Sequence, residues 1–171
     1  MTTLLLVRHG ETDWNAERRW QGHADVPLNE RGREQARALA ERIASDGRVD
    51  AIYASDLSRA RDTAAAVAER LGLPVVADPD LREIDVGSRE GRMGDIDEPW
   101  DGEPHEAHAE RILRAVHRIA ERHPGERVLV VTHGGSLRRI HEHLGLENTG
   151  PFENCAVWLC AHEGGRLRAI D

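Results

Sequence analysis

The chain has no lysine; all 23 of its basic residues are arginine. That absence removes the lysine of phosphate-binding P-loops, Schiff-base chemistry and lysine general bases together. What remains is a set of permanently charged planar forks suited to bidentate contact with phosphate or carboxylate. A compositional preference for arginine accounts for the total, so position rather than number must carry any functional reading. Cysteine is almost as scarce. Cys155 and Cys160 fall five residues apart in one expected strand, where they face opposite ways and cannot bridge. They read as reduced packing residues with no metal or redox motif. No apolar run approaches the ~20 residues needed to cross a bilayer, and residues 1–7 lack the basic start and small-residue cleavage site of a secretion signal. A formal charge of -8 argues against a general nucleic-acid surface, which needs basic stripes. The expectation is a soluble, cytoplasmic protein with neither a membrane nor a nucleic-acid partner. Its 171 residues suit one domain, 1–171, long enough to bury about 70 % of the unfolded surface.

Strand and helix patterns alternate through most of the chain, as in a mainly parallel sheet with helices on both faces. Thr12 to Arg19 reads as a short helical turn, and Asn29 caps a helix to about Ser45. Ala51–Ala54 reads as a strand, and Leu57, Ala60, Ala64, Val67, Ala68 and Leu71 as a helix stopped by Gly72. Val75–Ala77 reads as another strand. The charged, glycine-rich stretch from Leu81 to Pro104 has no period. Ile112, Leu113, Val116, Ile119 and Ala120 mark an amphipathic helix closed by His123-Pro124-Gly125, and Leu137, Ile140 and Leu144 mark one ending at Gly145. Cys155 to Ala161 and Arg166 to Ile170 flank Gly164-Gly165 as a hairpin at a sheet edge, an edge through which a homodimer could form.

Two segments carry the chemistry. Leu4-Leu5-Leu6-Val7 runs into Arg8-His9-Gly10, and Val128-Leu129-Val130-Val131 into Thr132-His133-Gly134-Gly135. Each is a strand-forming run halted at His-Gly, which places an imidazole at the carboxyl end of a buried strand, the ligand-binding edge of an open α/β sheet. Further motifs follow in order: Glu11-Thr12-Asp13-Trp14-Asn15, Gln21-Gly22, Asp25-Val26-Pro27-Leu28, Ser55-Asp56-Leu57-Ser58-Arg59-Ala60 and Leu81-Arg82-Glu83-Ile84-Asp85. With these, the chain from Leu4 to about Leu159 resembles the histidine phosphatase superfamily, the phosphoglycerate mutase-like enzymes.

The resemblance implies a three-layer α/β/α fold and a metal-independent phosphomonoester hydrolase. His9 would be the nucleophile that forms a phosphohistidine. Arg8, Arg59 and His133 would form the phosphate pocket, with Asn15 as a neutral donor. Glu83 would be the acid that protonates the leaving alcohol and then activates water, with Asp85 its rival on pattern alone. Thr12, Gln21, Gly22 and Gly134 match positions that touch phosphate or substrate, and Glu11 an orienting partner of a pocket arginine or of the backbone. No cofactor or metal is implied, and the partner is a small phosphorylated substrate. Mutases of the family carry a long insertion after the acid that closes the pocket. Here ten residues separate Gly91 from Gly102, holding more acid than base, and Val86 stands where mutases carry tyrosine. The resemblance therefore favours the phosphatase branch, with phosphoglycerate mutase and protein phosphohistidine phosphatase as alternatives. Arg89, where relatives have an aromatic, and Arg92 either select a second anionic group or are simply two exposed arginines. Arg18 and Arg61 match no site position and are left on the surface. Trp14 and Trp20 would wall the site and Trp158 would sit in the core. His105, His108 and Glu110 are assigned to a solvated helix face, and His141 and His143 to different directions.

Overall fold

The computed structural model describes residues 1–146 and 152–170. Six strands form one sheet: β1 Thr2–Arg8, β2 Ala51–Ala54, β3 Val75–Ala77, β4 Arg127–Thr132, β5 Val157–Glu163 and β6 Arg166–Ala169, in the order β3-β2-β4-β1-β5-β6. The first four pair in parallel, while β5 runs antiparallel to β1 and turns into β6 as the edge hairpin. Among the described residues, the helices α2 Glu30–Asp46, α3 Ser58–Leu71, α4 His105–Arg122 and α5 Gly134–His143 cover the sheet, and a single turn, α1 Asp13–Ala16, follows β1. The result is the mainly parallel α/β sheet anticipated from the sequence.

Strand alternation divides the core in two. Leu4, Leu6, Val128 and Val130 face α4 and α5 on one side; Leu5, Val7, Leu129 and Val131 face α2 and α3 on the other. β1 and β4 lie in the middle of the sheet, apolar on both faces, which is why each reads as a continuous hydrophobic run. Cys160 belongs to the first core and Cys155 to the second, both free thiols. Burial pushes each up to about 12. Cys155 departs from the strand expected of it: it precedes β5 with φ 59°. No helix among the described residues is long and apolar enough to cross a membrane.

The loop after β1 is braced by the start of α2. Asn29 caps that helix, its Oδ1 accepting from Gly32 N at 2.8 Å, while its own N–H donates to Glu11 O at 3.0 Å. Gly32 thereby presses on the backbone two residues beyond His9: a Cβ there would stand 2.1 Å from Glu11 O, and one on Gly10 would stand 2.6 Å from Gly32 O. Backbone cannot yield as a side-chain tip can. Gly32→Ala should therefore destabilise the protein by about 1–3 kcal/mol as overpacking, read as a lowered urea midpoint. An unchanged midpoint would contradict this close approach.

Candidate active site

The site begins with strand register. β1 and β4 pair with Arg8 opposite Thr132, and His9 N–H donates to Thr132 O at 3.0 Å, so the next residues, His9 and His133, emerge side by side. Their ring centroids lie 5.1 Å apart at 61°. His9 Nδ1 is 2.6 Å from Gly10 O. A carbonyl only accepts, so Nδ1 carries the proton and Nε2 keeps its lone pair. Burial first, then the charges of Arg59 and Arg8, hold the His9 pKa well below its usual 6.5. Burial, Arg59 and His9 do the same to His133. Both imidazoles are neutral in the ordinary pH range.

A cavity of about 510 Å³ opens above them, lined by Arg8, His9, Asn15, Gln21, Glu83 and Gly134 among others. Arg8 gives Nη1 to Phe152 O, and its buried Nε has no protein acceptor. Asn15 Oδ1 is taken by Thr12 N–H and approached by Asn154 Nδ2, which leaves its amide NH₂ for the cavity. Thr12 is buried. Its hydroxyl donates to Gln21 Oε1 at 2.7 Å and accepts from Asn15 N, so Thr12 positions two lining side chains without itself lining the cavity.

Arg59 also stands behind the wall. It is wholly buried, its Nη1 and Nη2 donate to Ala24 O at 2.8 Å and Gly22 O at 2.7 Å, and its Nε is unpartnered. Burial lowers its pKa to about 10, which leaves it charged. Gly22 serves as its acceptor. Both ring nitrogens of His133 are buried without a partner as well. Buried polar atoms left unpaired cost about 1–3 kcal/mol each, so this cluster of orphan donors marks a place built for an acceptor-rich ligand.

Glu83 faces His9's side of the cavity from an irregular segment that follows a 3₁₀ turn at Pro79–Leu81. That segment is held by its carbonyls. Leu81 O accepts from Thr132 Oγ1, Arg82 O from Ser136 Oγ and Arg111 Nη1, and Glu83 O from Arg111 Nη2 and His23 Nε2 at 2.9–3.2 Å for the last two. The carboxylate accepts from Ile84 N and Gly135 N, each at 2.9 Å. Burial nevertheless raises its pKa above the usual 4.5, against the pull of those N–H groups, Arg59 and Arg8. Asp85 is exposed and accepts from Gly87 N outside the cavity, so the rivalry between the two acids is resolved by position.

Several expectations are corrected. Glu11 holds no pocket arginine; it accepts from Asn29 Nδ2 at 3.0 Å and stands 3.9 Å from exposed Arg31. Arg18 is exposed as expected but lies on the cavity rim. Trp20 walls the cavity, whereas Trp14 packs beneath Gly91. Arg89 is buried between Trp20 and Trp100 and spends its fork on Glu98 O, Ile96 O and Pro99 O, while Arg92 pairs with Glu98 at 2.8 Å. Both brace the short cap and neither offers a fork to a substrate anion. His108 is not solvated: it is 1 % exposed and bonded to Ser136. His105 and Glu110 are exposed, His105 stacked on Trp100 at 4.9 Å. His141 packs on Trp158 and Phe152, and His143 is exposed.

Sequence reasoning passed over Arg138, Phe152 and Asn154, all of which line the cavity. Arg138 lies one helical turn beyond Gly134 and shares its face, a signal that was available. Phe152 and Asn154 arrive from the far end of the chain with no local signature. Among the described residues no group of three or more His, Cys, Asp or Glu side chains could hold a metal ion.

These features agree with the comparisons. The family model of the histidine phosphatase superfamily (branch 1) matches residues 4–169. The chain is 43 % identical to a metal-independent phosphoserine phosphatase and 41 % identical to phosphoglycerate mutase-like protein 4, both of Arabidopsis thaliana. The alignments cover 82 % of this chain and 68 % of the first relative, and 81 % and 69 % for the second. Among solved structures, Bacillus stearothermophilus YhfR superposes with a TM-score of 0.89 at 36 % identity, covering 99 % of this chain and 95 % of that one. A mycobacterial glucosyl-3-phosphoglycerate phosphatase superposes at 0.87 with 31 % identity, covering 98 % and 96 %. The chain belongs to the histidine phosphatase superfamily and is an enzyme of the phosphatase type.

Proposed function

We propose that the protein hydrolyses small phosphomonoesters, without a metal, through a phosphohistidine on His9. The observation that carries this reading is the pairing, in one cavity, of an imidazole whose Nδ1–H is tied to Gly10 O with the Glu83 carboxyl, whose pKa burial raises. Nε2 of His9 attacks phosphorus as the ester P–O bond breaks in line, and Glu83 gives its proton to the departing alcohol oxygen. A water then attacks phosphorus, Glu83 takes its proton, and the P–N bond breaks to release phosphate. Arg8, the Asn15 amide, the Gly134 N–H at the start of α5 and His133 face the phosphoryl oxygens, whose charge in the transition state they match. Arg59 adds its buried charge from behind the wall. Water is the acceptor because the cap is only ten residues long and carries Asp95, Asp97, Glu98 and Asp101 against one exposed arginine, Arg92.

His9→Ala should abolish phosphate release from a panel of monoesters, while EDTA should leave the parent unaffected. Release that persists in His9→Ala, or is lost in EDTA, would overturn the mechanism. The names of relatives include a phosphoglycerate mutase, so 3-phosphoglycerate with bisphosphoglycerate belongs in the panel. Isomerisation without release would reassign the enzyme as a mutase.

The pH dependence follows from the signs of the shifts. His9, depressed well below 6.5, loses its proton early and stays nucleophilic as pH rises. Glu83, raised above 4.5, keeps its proton until pH passes its own value, beyond which kcat/KM falls. The profile should be a bell, its acid limb set by His9 and its alkaline limb by Glu83. Glu83→Gln should remove the alkaline limb, the ester's own ionisation being common to both enzymes. It should cost alkyl esters about 10²–10⁴-fold in kcat and p-nitrophenyl phosphate much less, since that phenolate departs unprotonated. Equal losses on both substrates would contradict the acid role.

A further inference from the structure

We infer that His108 is a positioning residue for Glu83: its neutral imidazole, oriented by Ser136, biases the catalytic proton toward the Oε2 oxygen of that carboxyl. The inference rests on the role proposed above for Glu83 and concerns a residue that role leaves out.

The geometry is specific. His108 lies on the apolar face of α4, one turn before Ile112, and is 1 % exposed beneath the wall of a second cavity of about 460 Å³ that shares Glu83, Gly135, Gln21 and Trp20 with the first. Its Nε2 is 3.0 Å from Ser136 Oγ, and Ser136 Oγ donates its single proton to Arg82 O at 3.1 Å. A hydroxyl that has given its proton to a carbonyl can only accept from the imidazole, so His108 carries its proton on Nε2. The same Nε2 lies 4.0 Å from Glu83 Oε1. That is too long for a hydrogen bond but close enough for the N–H dipole to act in a buried site.

The two carboxyl oxygens are otherwise evenly served, Oε1 by Ile84 N–H and Oε2 by Gly135 N–H, each at 2.9 Å. The positive edge of His108 breaks that symmetry. Negative charge is favoured on Oε1, so the proton resides on Oε2, the oxygen beside the helix start that carries Gly134 and Gly135. Ser136, in the same first turn of that helix, thus couples the phosphate-facing end of α5 to the acid's orientation.

The other groups around the pair are fixed in sign. Glu83 faces the permanent charges of Arg8 from β1 and Arg59 from α3, with His9 and His133 neutral beside it. His108 faces Arg111 and His105 from α4, Glu103 ahead of α4, and Arg139 from α5. Burial, reinforced by Arg111, lowers the His108 pKa to about 4, so the imidazole acts as a dipole and not as a cation wherever the enzyme works.

The experiment compares kcat/KM–pH profiles on an alkyl phosphomonoester, whose leaving oxygen needs the Glu83 proton, for the parent, His108→Leu, His108→Gln and Glu83→Gln, with urea midpoints for each. Removing the N–H dipole should raise the Glu83 limb by about half a pH unit to one unit, lower kcat several-fold and leave KM within twofold. Gln, whose amide N–H can reach Ser136, should restore the limb to the parental position. A merely structural role moves the limb the other way, because a loosened, hydrated Glu83 returns toward 4.5. A limb in His108→Leu that falls or stays, or that Gln fails to restore at a parental urea midpoint, overturns the inference. Persistence of the limb in Glu83→Gln overturns the acid assignment and this inference together, whereas its loss there with an unmoved limb in His108→Leu overturns the inference alone. Imidazole ¹⁵N–¹H correlation spectra of the unsubstituted protein give a test independent of any variant. They should show His108 as the neutral Nε2–H tautomer from pH 5.5 upward, about 1.5 units above the value near 4, and titration near 6.5 or the Nδ1–H tautomer would equally overturn it.

Discussion

Everything at the site depends on the parallel pairing of β1 with β4. Register in a sheet is discrete: a one-residue slip would turn each side chain to the opposite face and exchange the two cores. The two faces pack into differently composed, close-packed cores, so that slip would misfit side chains on both, and Arg8 is held opposite Thr132. His9 and His133 inherit their proximity from this constraint without any contact of their own to enforce it. The same strand ends supply Gly10 O, which sets the tautomer of His9, and the N-terminus of α5, which presents Gly134 N–H to the cavity.

The acid is positioned by a different kind of physics. Glu83 belongs to no regular element, and an irregular buried segment must find partners for its carbonyls outside itself. Arg111 supplies three of those contacts, to Asp80 O, Arg82 O and Glu83 O, and is itself paired with Glu103 at 2.6 Å. Thr132 and Ser136, on either side of His133, tie Leu81 O and Arg82 O to the strand end. The acid is therefore located relative to the nucleophile through the side chains that flank the second histidine. Arg111 does here what a ladder of strand hydrogen bonds does for His9.

This difference explains what the sequence disclosed. The long helices α2 to α5 and the strands β1 and β4 were legible because they rest on local apolar patterns and on end signals such as Asn29 and Gly72. The positions of His9 and His133 followed from the same apolar runs. Residues 79–104 had no period to read, since their conformation is set by contacts with α4, α5 and the loop at Trp20, far off in sequence. Arg89 looked like a substrate ligand for that reason: nothing local announces that its fork is consumed by carbonyls seven to ten residues on. His108 was misread although its signal was present. It stands in step with Ile112, Val116 and Ile119 on the apolar stripe, and a histidine on such a stripe is buried before it is solvated.

The charge arrangement completes the argument. Two guanidinium groups, Arg8 and Arg59, lie largely out of water, and each retains a buried nitrogen without an acceptor. Both depress the histidines between them, so His9 is neutral, and both oppose the burial that raises the Glu83 pKa. Burial wins at Glu83 because its oxygens receive only two backbone N–H groups and the arginines act on it at a distance. In the mechanism proposed above, a dianionic ester at His9 would add negative charge next to the same carboxyl and offset the arginine field that opposes its proton. Binding would then strengthen the hold of Glu83 on that proton until the departing oxygen, developing charge in turn, took it. On that reading, permanent cations and an acid whose pKa burial raises make the site responsive to its substrate's charge.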